Sequence, residues 1–326
     1  MAGLLNSRNG LVQPAITPLS RLGLPGIFNN NSPKWIAVRQ RFTQFHRNLV
    51  LTDPQRQDGL TKCSGVVTCL NRHYYGTASL SNAILIGSWD KDTAVRPPRD
   101  VDLYFLLPPH VFSRFQERVG NRQSALLQEV KNILSDTYPD TDMRGDGQVV
   151  LVRFASYAVE VVPAFLLTNG RYWICNTHDG GSYIETDPAA EVNFIETVDR
   201  ANNRNLRPLI RMLKIWQQNC SVPISSFQLE LIAVDFLRQS LWRYKDFFWF
   251  DWIIRDFFGY LYHRANTFVF APGIGKSLFL GDGWQSRVIS AYSRAVDACE
   301  YEKDNLVSSA GEEWQKIFGS QIPRTI

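Results

Sequence analysis

Two periodicities of apolar residues divide this chain into strands and helices. Polar and apolar residues alternate from Asp100 to Phe105, which is the two-residue period of a strand with one buried face. Apolar residues three and four positions apart indicate helices, and β-branched runs bounded by turn residues indicate further strands. On these grounds we predict helices at 54–74 and 111–138 and further strands at 149–154 and 157–162.

From about Val198 onward the periodicity is mainly helical. The apolar stripe consists of Leu206, Leu209, Leu213 and Trp216. A neighbouring basic stripe, at offsets of three and four, consists of Arg204, Arg207, Arg211 and Lys214. Such a stripe is usually a solvated helix face, and the alternative is that it meets phosphate. Charges interrupt the aromatic stretch 242–262, so we expect core packing there, with a dimer patch or base stacking as alternatives, and no membrane span.

Residues 1–32 differ from the rest of the chain in their turn residues. Asn, Gly and Pro recur too often for a long helix, and no unbroken apolar stretch reaches the length of a signal peptide. We therefore expect an N-terminal arm over 1–32. Ser32-Pro33 then has the form of a helix start, with Ser32 as the cap.

Composition limits the classes of function. A chain of 326 residues can form one large or two medium domains with an ample core. The net charge of +4 permits a nucleotide ligand but is too small to argue for a nucleic-acid polymer. The 5 cysteines are scattered, without C-x-x-C spacing or an adjacent His, which indicates reduced thiols in a cytosolic protein and no zinc site.

The candidate chemistry lies on the alternating strand. Asp100 and Asp102 share one face of it, about 7 Å apart at Cα, so their oxygens can converge on a pair of Mg²⁺ ions. The alternative is a half-exposed strand whose polar face meets water. Gly87-Ser88 precedes the strand and favours the first interpretation, because Gly admits a phosphate close to the backbone and Ser can hold its oxygens.

The order of these residues resembles the DNA polymerase β-like nucleotidyltransferase superfamily, and more narrowly the bacterial cGAS/DncV-like nucleotidyltransferases (CD-NTases). The resemblance rests on Gly87-Ser88-Trp89, Thr93-Ala94-Val95-Arg96-Pro97 and Asp100-Val101-Asp102-Leu103, and it extends over most of the chain. It implies an α+β fold with a nucleotidyltransferase core, a mixed sheet with flanking helices, over 33–196. A helical lobe over 197–326 would follow, with the active site in the cleft between the two.

The same resemblance assigns further site residues. Glu160 falls where the family has its third metal carboxylate, usually Asp, and a lone acid in an apolar strand is otherwise an edge residue. Lys214, in a segment similar to the family's R-x-LK-x-W, would reach the triphosphate. Ser226 would contact phosphate, whereas Ser225 with Gln228 is also a helix capping box. Gly87 and Ser88 would complete the nucleotide site.

Two other segments have competing interpretations. In the relatives, base-facing groups include residues near this region, so Asn176, His178 or Tyr183 could read a base edge or stack on a base. The alternative is a glycine-hinged surface loop over 169–191. The run Gly273 to Ser277 suggests a P-loop, but the motif requires Gly where this chain has Phe270, so we reject it.

Taken together, the resemblance implies a template-independent nucleotidyltransferase with two Mg²⁺ ions, or Mn²⁺ in their place. It would convert NTPs into a cyclic di- or trinucleotide second messenger and release pyrophosphate, in the bacterial antiphage defence called CBASS. A separate effector would read the product, and accessory CBASS proteins would be further partners. The protein would act in the bacterial cytoplasm, and we expect it to need neither a membrane nor a nucleic-acid template. The alternatives are a transferase that modifies a protein or RNA, and a non-catalytic nucleotide-binding relative.

Overall fold

A computed structural model describes residues 34–326 of the chain. The predicted N-terminal arm at 1–32 and the predicted Ser32 cap lie outside the described residues. Helices α1 to α11 are Val38–Leu49, Asp53–Tyr75, Gly87–Asp90, Pro109–Gln116, Arg122–Thr137, Pro188–Ala201, Leu206–Asn219, Ser226–Gln239, Phe250–Tyr262, Gln285–Lys303 and Val307–Phe318. Strands β1 to β9 are Ala83–Leu85, Asp100–Leu106, Asp142–Asp146, Val149–Arg153, Ala158–Leu166, Tyr172–Asn176, Ser182–Thr186, Phe268–Phe270 and Ser277–Phe279.

Two compact units account for these elements. The sheet unit consists of Val50–Glu196 and Ala271–Lys276. The helical unit consists of the described residues up to Leu49, together with Thr197–Phe270 and Ser277–Ile326. The mixture of sheet and helices confirms the predicted α+β class.

The sheet unit is organised around β5. The sheet has 7 strands in the order β1-β2-β5-β4-β3, with β6 also paired to β5 and β7 paired to β6. Strand β2 runs parallel to β5, and the other pairs are antiparallel. This is the mixed sheet that the sequence predicts, and its one parallel pair joins the two strands that carry the candidate carboxylates.

The two faces of this sheet have different surroundings. Val101, Leu103 and Phe105 point into the main core, where α2, α4 and α5 cover them. On the opposite face Tyr104 joins a smaller cluster with Val162, Ala164 and Ile174, next to the positions of the acidic residues. Because side chains alternate along a strand, the burial of the first face fixes which side chains occupy the second.

Helix α2 confirms the prediction at 54–74 and shows why the helix forms there. Thr52 and Gln55 make a reciprocal capping box at its start, and Gly76 ends it in the left-handed conformation at φ 67°. Its buried positions include Val66, Val67 and Leu70, which pack under the sheet.

Two local predictions were wrong. The single helix expected at 111–138 is divided into α4 and α5, because Gly120 has φ 86° and Asn121 caps a new helix by accepting from the Ser124 N–H. The loop expected at 169–191 is largely the hairpin of β6 and β7. The two strands are antiparallel, and their paired residues run from Tyr172 with Thr186 to Asn176 with Ser182. Turn residues around Gly180 marked the hairpin connection and were mistaken for a longer loop.

Aromatic residues dominate the core of the helical unit. Trp216, Trp284 and Trp314 are fully buried, and Trp216 packs edge to face on Phe258 with ring centroids 4.9 Å apart. The expectation of core packing for the stretch 242–262 is confirmed by the burial of most of α9. None of the described helices is long and apolar enough to cross a membrane.

Gly59 provides a test of the packing between α2 and the sheet. A methyl group there would lie 2.5 Å from Trp89 Cη2 and 3.2 Å from Val101 Cγ2. The indole cannot withdraw freely, because its N–H donates to the Asp100 carbonyl at 2.8 Å. We expect Gly59→Ala to lower the free energy of unfolding by about 1–3 kcal/mol in urea denaturation.

Gly65→Ala is the matched control on the same helix. Its methyl group would meet only the hydroxyl end of Tyr138 at close range, which can move, and Ala favours the helix by about 0.5–1 kcal/mol. Equal losses of stability in the two variants would contradict the packing described here.

Candidate active site

The register of β2 on β5 places the three candidate carboxylates together on the backbone. Asp102 is the direct neighbour of Glu160 across the parallel pair, and Asp100 is the neighbour of Ala158. Paired residues on adjacent strands are about 4.8 Å apart and point to the same face. Asp100, Asp102 and Glu160 therefore project from one face, two along β2 and one beside them on β5.

These side chains lie at a boundary between protein and solvent. Asp100, Asp102 and Glu160 are all partly exposed, whereas Val101 and Val159 between them are fully buried. Further along the same face Tyr104 is buried, and its hydroxyl lies 2.9 Å from the Thr186 hydroxyl. The acidic face is thus open at one end and closed by apolar packing at the other.

The pKa values of two neighbours reflect the charge on Asp102. Burial raises the pKa of Tyr104 to about 12, with the carboxylates of Glu191 and Asp102 adding to the shift against the Thr186 hydrogen bond. Burial also raises the pKa of the Cys63 thiol to about 12, and the charge of Asp102 contributes again. Both groups therefore stay protonated at neutral pH.

Gly87 brings the turn before β2 onto Asp102. Its φ is 62°, which favours glycine, and a methyl group at this position would overlap Asp102 Oδ2. The turn is tied to the strand by the Ile86 N–H, which donates to the Asp102 carbonyl at 3.0 Å. The predicted Gly87-Ser88 motif and the predicted acidic doublet are therefore in direct contact.

The loop after Ser88 is anchored at three points. The Ser88 carbonyl accepts from the Thr93 N–H at 2.8 Å and from the Ala94 N–H at 3.1 Å. Lys91 is buried, and its Nζ lies 3.3 Å from Glu191 Oε2 on α6. Sequence reasoning missed this pair because the two residues are 100 positions apart and neither belongs to a periodic pattern.

The acidic face fits divalent cations by its chemistry. Carboxylate oxygens are the ligands that Mg²⁺ prefers, and the like charges of Asp102 and Glu160 on adjacent positions repel unless a cation offsets them. Within residues 34–326, however, no three His, Cys, Asp or Glu side chains form a ready-made metal cluster. Strand register brings the backbones together, and the carboxylates themselves must still turn toward one ion.

Lys214 occupies a different environment from the one its basic stripe suggests. It is buried on α7, and its Nζ lies 2.7 Å from Glu230 Oε1 on α8. Arg211 is also buried, and Arg207 pairs with Asp199 at 2.9 Å, so the stripe is not a solvated helix face. The proposed contact of Lys214 with a triphosphate stays a prediction.

Ser226 also has a neighbour within the helical unit. Its hydroxyl donates to Gln217 Oε1 at 2.9 Å, while the capping box of Ser225 and Gln228 is confirmed at the start of α8. A hydroxyl that donates one bond retains acceptor capacity but has used its only donor. A contact between Ser226 and phosphate likewise stays a prediction.

The candidate base-reading residues lie on the hairpin of β6 and β7. Tyr183 packs among Phe112, Phe165 and Trp173, with its ring stacked 5.7 Å from that of Trp173. Its ring is partly buried and packs against the core. Asn176 bonds Ser182 across the hairpin and accepts from the His178 N–H, which stabilises the turn.

Comparisons with known proteins give a family match and two curated relatives. The family model described as Second Messenger Oligonucleotide or Dinucleotide Synthetase domain matches residues 36–199. A probable cyclic nucleotide synthase of Bacillus cereus is 22% identical over 273 residues, covering 73% of this chain and 81% of that protein. A cyclic AMP-AMP-AMP synthase of Acinetobacter is 21% identical over 253 residues, covering 75% of this chain and 73% of that protein.

A similar fold is found in a solved structure. The Vibrio cholerae cyclic AMP-GMP synthase DncV, in complex with the linear intermediate 5′ pppA(3′,5′)pG, matches with a TM-score of 0.68. The match covers 86% of this chain and 97% of that one at 14% identity, so it concerns the fold.

Gly87→Ala tests the contact between the turn and Asp102. A left-handed Ala costs about 1–2 kcal/mol wherever it occurs. At Gly87 the clash with Asp102 adds to that cost, so we expect an additional loss of about 1–3 kcal/mol in urea unfolding. Gly76→Ala is the control, because Gly76 has φ 67° with no atom within 4 Å of the new methyl group. A loss no larger at Gly87 than at Gly76 would refute the contact.

The pair of Lys214 and Glu230 makes a second prediction. Removing one charge of a buried pair costs about 3–5 kcal/mol, because the other charge is left without its partner. We expect Glu230→Gln to be strongly destabilising and the double variant with Lys214→Met to recover part of the loss. A double-mutant cycle in urea should give a coupling of about 1–3 kcal/mol. Additive effects would show that the two side chains do not act as a pair.

Proposed function

The chain belongs to the Second Messenger Oligonucleotide or Dinucleotide Synthetase family and is a template-independent nucleotidyltransferase that makes a cyclic oligonucleotide second messenger; on that premise we propose its active residues. Asp100, Asp102 and Glu160 hold two divalent cations, Mg²⁺ or Mn²⁺. The observation that carries this assignment is the pairing of Asp102 with Glu160 across the parallel strands.

The reaction requires an attack by the ribose hydroxyl of one nucleotide on the α-phosphorus of another. The hydroxyl gives up its proton, and the new P–O bond replaces the bond to pyrophosphate, which leaves. The second such transfer closes a dinucleotide ring, and the third closes a trinucleotide ring. Bound divalent cations would lower the pKa of the hydroxyl and neutralise the charge of the donor triphosphate. The chain's own contribution is to position the reactants and to supply charge where charge develops.

The Gly87-Ser88 turn is proposed to receive the donor phosphates. Gly87 lies against Asp102 without a side chain, so a phosphate can approach the backbone beside the carboxylate. The Thr93 and Ala94 N–H groups anchor the Ser88 carbonyl and so fix the backbone that carries the Ser88 hydroxyl. A preorganised turn of this kind does not need to reorganise when the triphosphate binds.

Glu160 occupies a position at which, by the family resemblance, Asp is usual. Its additional methylene extends the reach of the carboxylate by about 1.5 Å from a strand whose backbone position is set by the pairing with β2. The carboxylate remains a hard oxygen ligand of the kind Mg²⁺ accepts. Glu160→Asp therefore keeps the ligand chemistry and changes only the reach.

Lys214 and Ser226 are proposed for the triphosphate from the family resemblance. Lys214 is held by Glu230, which would fix the direction of its ammonium group. Lys acts on phosphate as a compact point charge, so a fixed direction matters for the strength of the contact.

The product is proposed to be a cyclic di- or trinucleotide acting in CBASS defence in the bacterial cytoplasm. NTPs are the substrates, a separate effector reads the product, and accessory CBASS proteins are further partners. The named activities of the Bacillus and Acinetobacter relatives support the cyclic nucleotide product, as does the linear intermediate bound to the Vibrio enzyme. A transferase acting on protein or RNA would need a polymer-binding surface, which the net charge of +4 does not favour.

Incubation of the purified chain with each radiolabelled NTP, Mg²⁺ and a phosphatase tests the assignment. We expect phosphatase-resistant product from the wild type and none in EDTA. Asp102→Asn and Glu160→Gln should reduce the rate by about a hundredfold or more, because each removes an anionic ligand of the divalent cations that would neutralise the reacting phosphate. Glu160→Asp should stay within about tenfold of the wild type, because it keeps the charge.

Asp142→Asn is the matched control. Asp142 is an exposed acid on β3 of the same sheet, paired with Arg153, and its loss should not change the rate. Label on protein or RNA would favour the alternative transferase. No turnover in wild type, with all variants identical to it, would indicate a non-catalytic nucleotide binder.

A further inference from the structure

A cavity in the helical unit carries an unusual concentration of positive charge. It has a volume of about 340 Å³ and lies between the ends of α7 and α11 and one face of α10. Arg287, Ser290 and Arg294 of α10 line it at helical offsets of three and four, so one helix face presents all three. Lys316 of α11 adds a third cation to the lining. The volume is in the range of small-molecule sites.

The charge of this cavity is only partly balanced. Arg294 lies 3.2 Å from Glu313, and Lys316 lies 2.5 Å from the same carboxylate. Among the ion pairs of residues 34–326, none involves Arg287. Arg294 and Lys316 therefore share one carboxylate, and Arg287 adds a third positive charge. Burial raises the pKa of the Cys220 thiol in the lining, and the hydrogen bond with Asn219 and the charges of Arg287 and Arg294 oppose that rise.

Capping of helix ends does not account for these cations. Helices α7 and α11 both end at the cavity, and basic side chains often serve such ends. Here the Ile317 carbonyl accepts from Asn219 Nδ2 at 3.0 Å and from Cys220 Sγ at 3.5 Å. On α7 the Gln217 carbonyl accepts from the Val222 N–H at 2.9 Å. The carbonyls have other donors, which leaves the guanidinium of Arg287 for a different partner.

We propose that this cavity binds a small phosphate-bearing ligand. Guanidinium groups bind phosphate through paired hydrogen bonds, and Lys316 supplies a point charge beside them. The hydroxyls of Ser221 and Ser290 and the amide of Asn219 provide further donors in the lining. The site is distinct from Asp100, Asp102 and Glu160, which belong to the sheet unit. A free polyphosphate and a nucleotide share the required chemistry.

Protection of Cys220 from alkylation locates the ligand at this cavity. The purified chain is treated with iodoacetamide in EDTA, with and without tripolyphosphate or ATP, and the modification of Cys220 is followed by peptide mass spectrometry. We expect both anions to slow alkylation in a saturable manner. A lower half-protecting concentration for ATP would identify a nucleotide as the ligand, and equal values would identify the phosphate chain.

Three variants complete the test. Arg287→Gln should raise the half-protecting concentration about tenfold or more, because it removes a charged donor of the phosphate. Ser290→Glu should abolish protection by placing an anion in the cavity, and its exposed position lets the fold tolerate the change. Lys303→Gln is the control on the same helix, outside the cavity and paired with Glu300, and should behave as wild type.

Two results would overturn the proposal: no protection of Cys220 by either anion, or equal protection in the wild type and in Ser290→Glu. Thermal unfolding of each variant shows whether Arg287→Gln keeps its fold, and Ser290→Glu decides the question if it does not. Because EDTA is present throughout, the result is independent of whether the carboxylates of the sheet unit support catalysis.

Discussion

The parallel pairing of β2 with β5 is the constraint on which the rest of this site depends. It sets Asp102 beside Glu160 and leaves the backbones no freedom to separate them. A shift of one residue in either strand would turn its acidic side chain into the main core, where Val101 and Val159 now lie. The register is therefore secured by the apolar face. Burial of valines and leucines under the helices determines where the carboxylates project.

The turn before β2 extends the same principle to the proposed phosphate site. Gly87 approaches Asp102 because it has no side chain, and Trp89 fixes the next turn by its bond to the Asp100 carbonyl. Trp89 in turn packs against Gly59 of α2, so the absence of a side chain at Gly59 leaves room for the indole. Lys91 then links the loop to α6 through Glu191. The Gly87-Ser88 segment is thus stabilised by the packing of Trp89 and by the ion pair of Lys91 with Glu191.

Sequence alone predicted the parts of the molecule that depend on local pattern. The alternation around Asp102 identified β2, and apolar residues at helical spacing placed α2 to within one residue. The pairs Lys91–Glu191 and Lys214–Glu230 could not be predicted, because partners that are distant in sequence meet only after the helices pack. Glu230 was visible as an acid between Leu229 and Leu231 in a largely apolar helix, which was a signal for a buried partner. The break between α4 and α5 was missed because helical periodicity continues across Gly120, although α4 ends at Gln116 and Gly120 lies in a left-handed conformation in the connection before α5.

Counting the bound metal ions tests the central claim most directly. Mn²⁺ binding can be followed by electron paramagnetic resonance in the presence of an NTP that cannot transfer its α-phosphate. If Asp100, Asp102 and Glu160 form the metal site, the wild type will bind two ions per chain, and Asp102→Asn and Glu160→Gln will bind fewer. Asp142→Asn, altered on the edge of the same sheet, will still bind two. A wild type that binds none, or a count that is unchanged in Asp102→Asn and Glu160→Gln, would contradict the account.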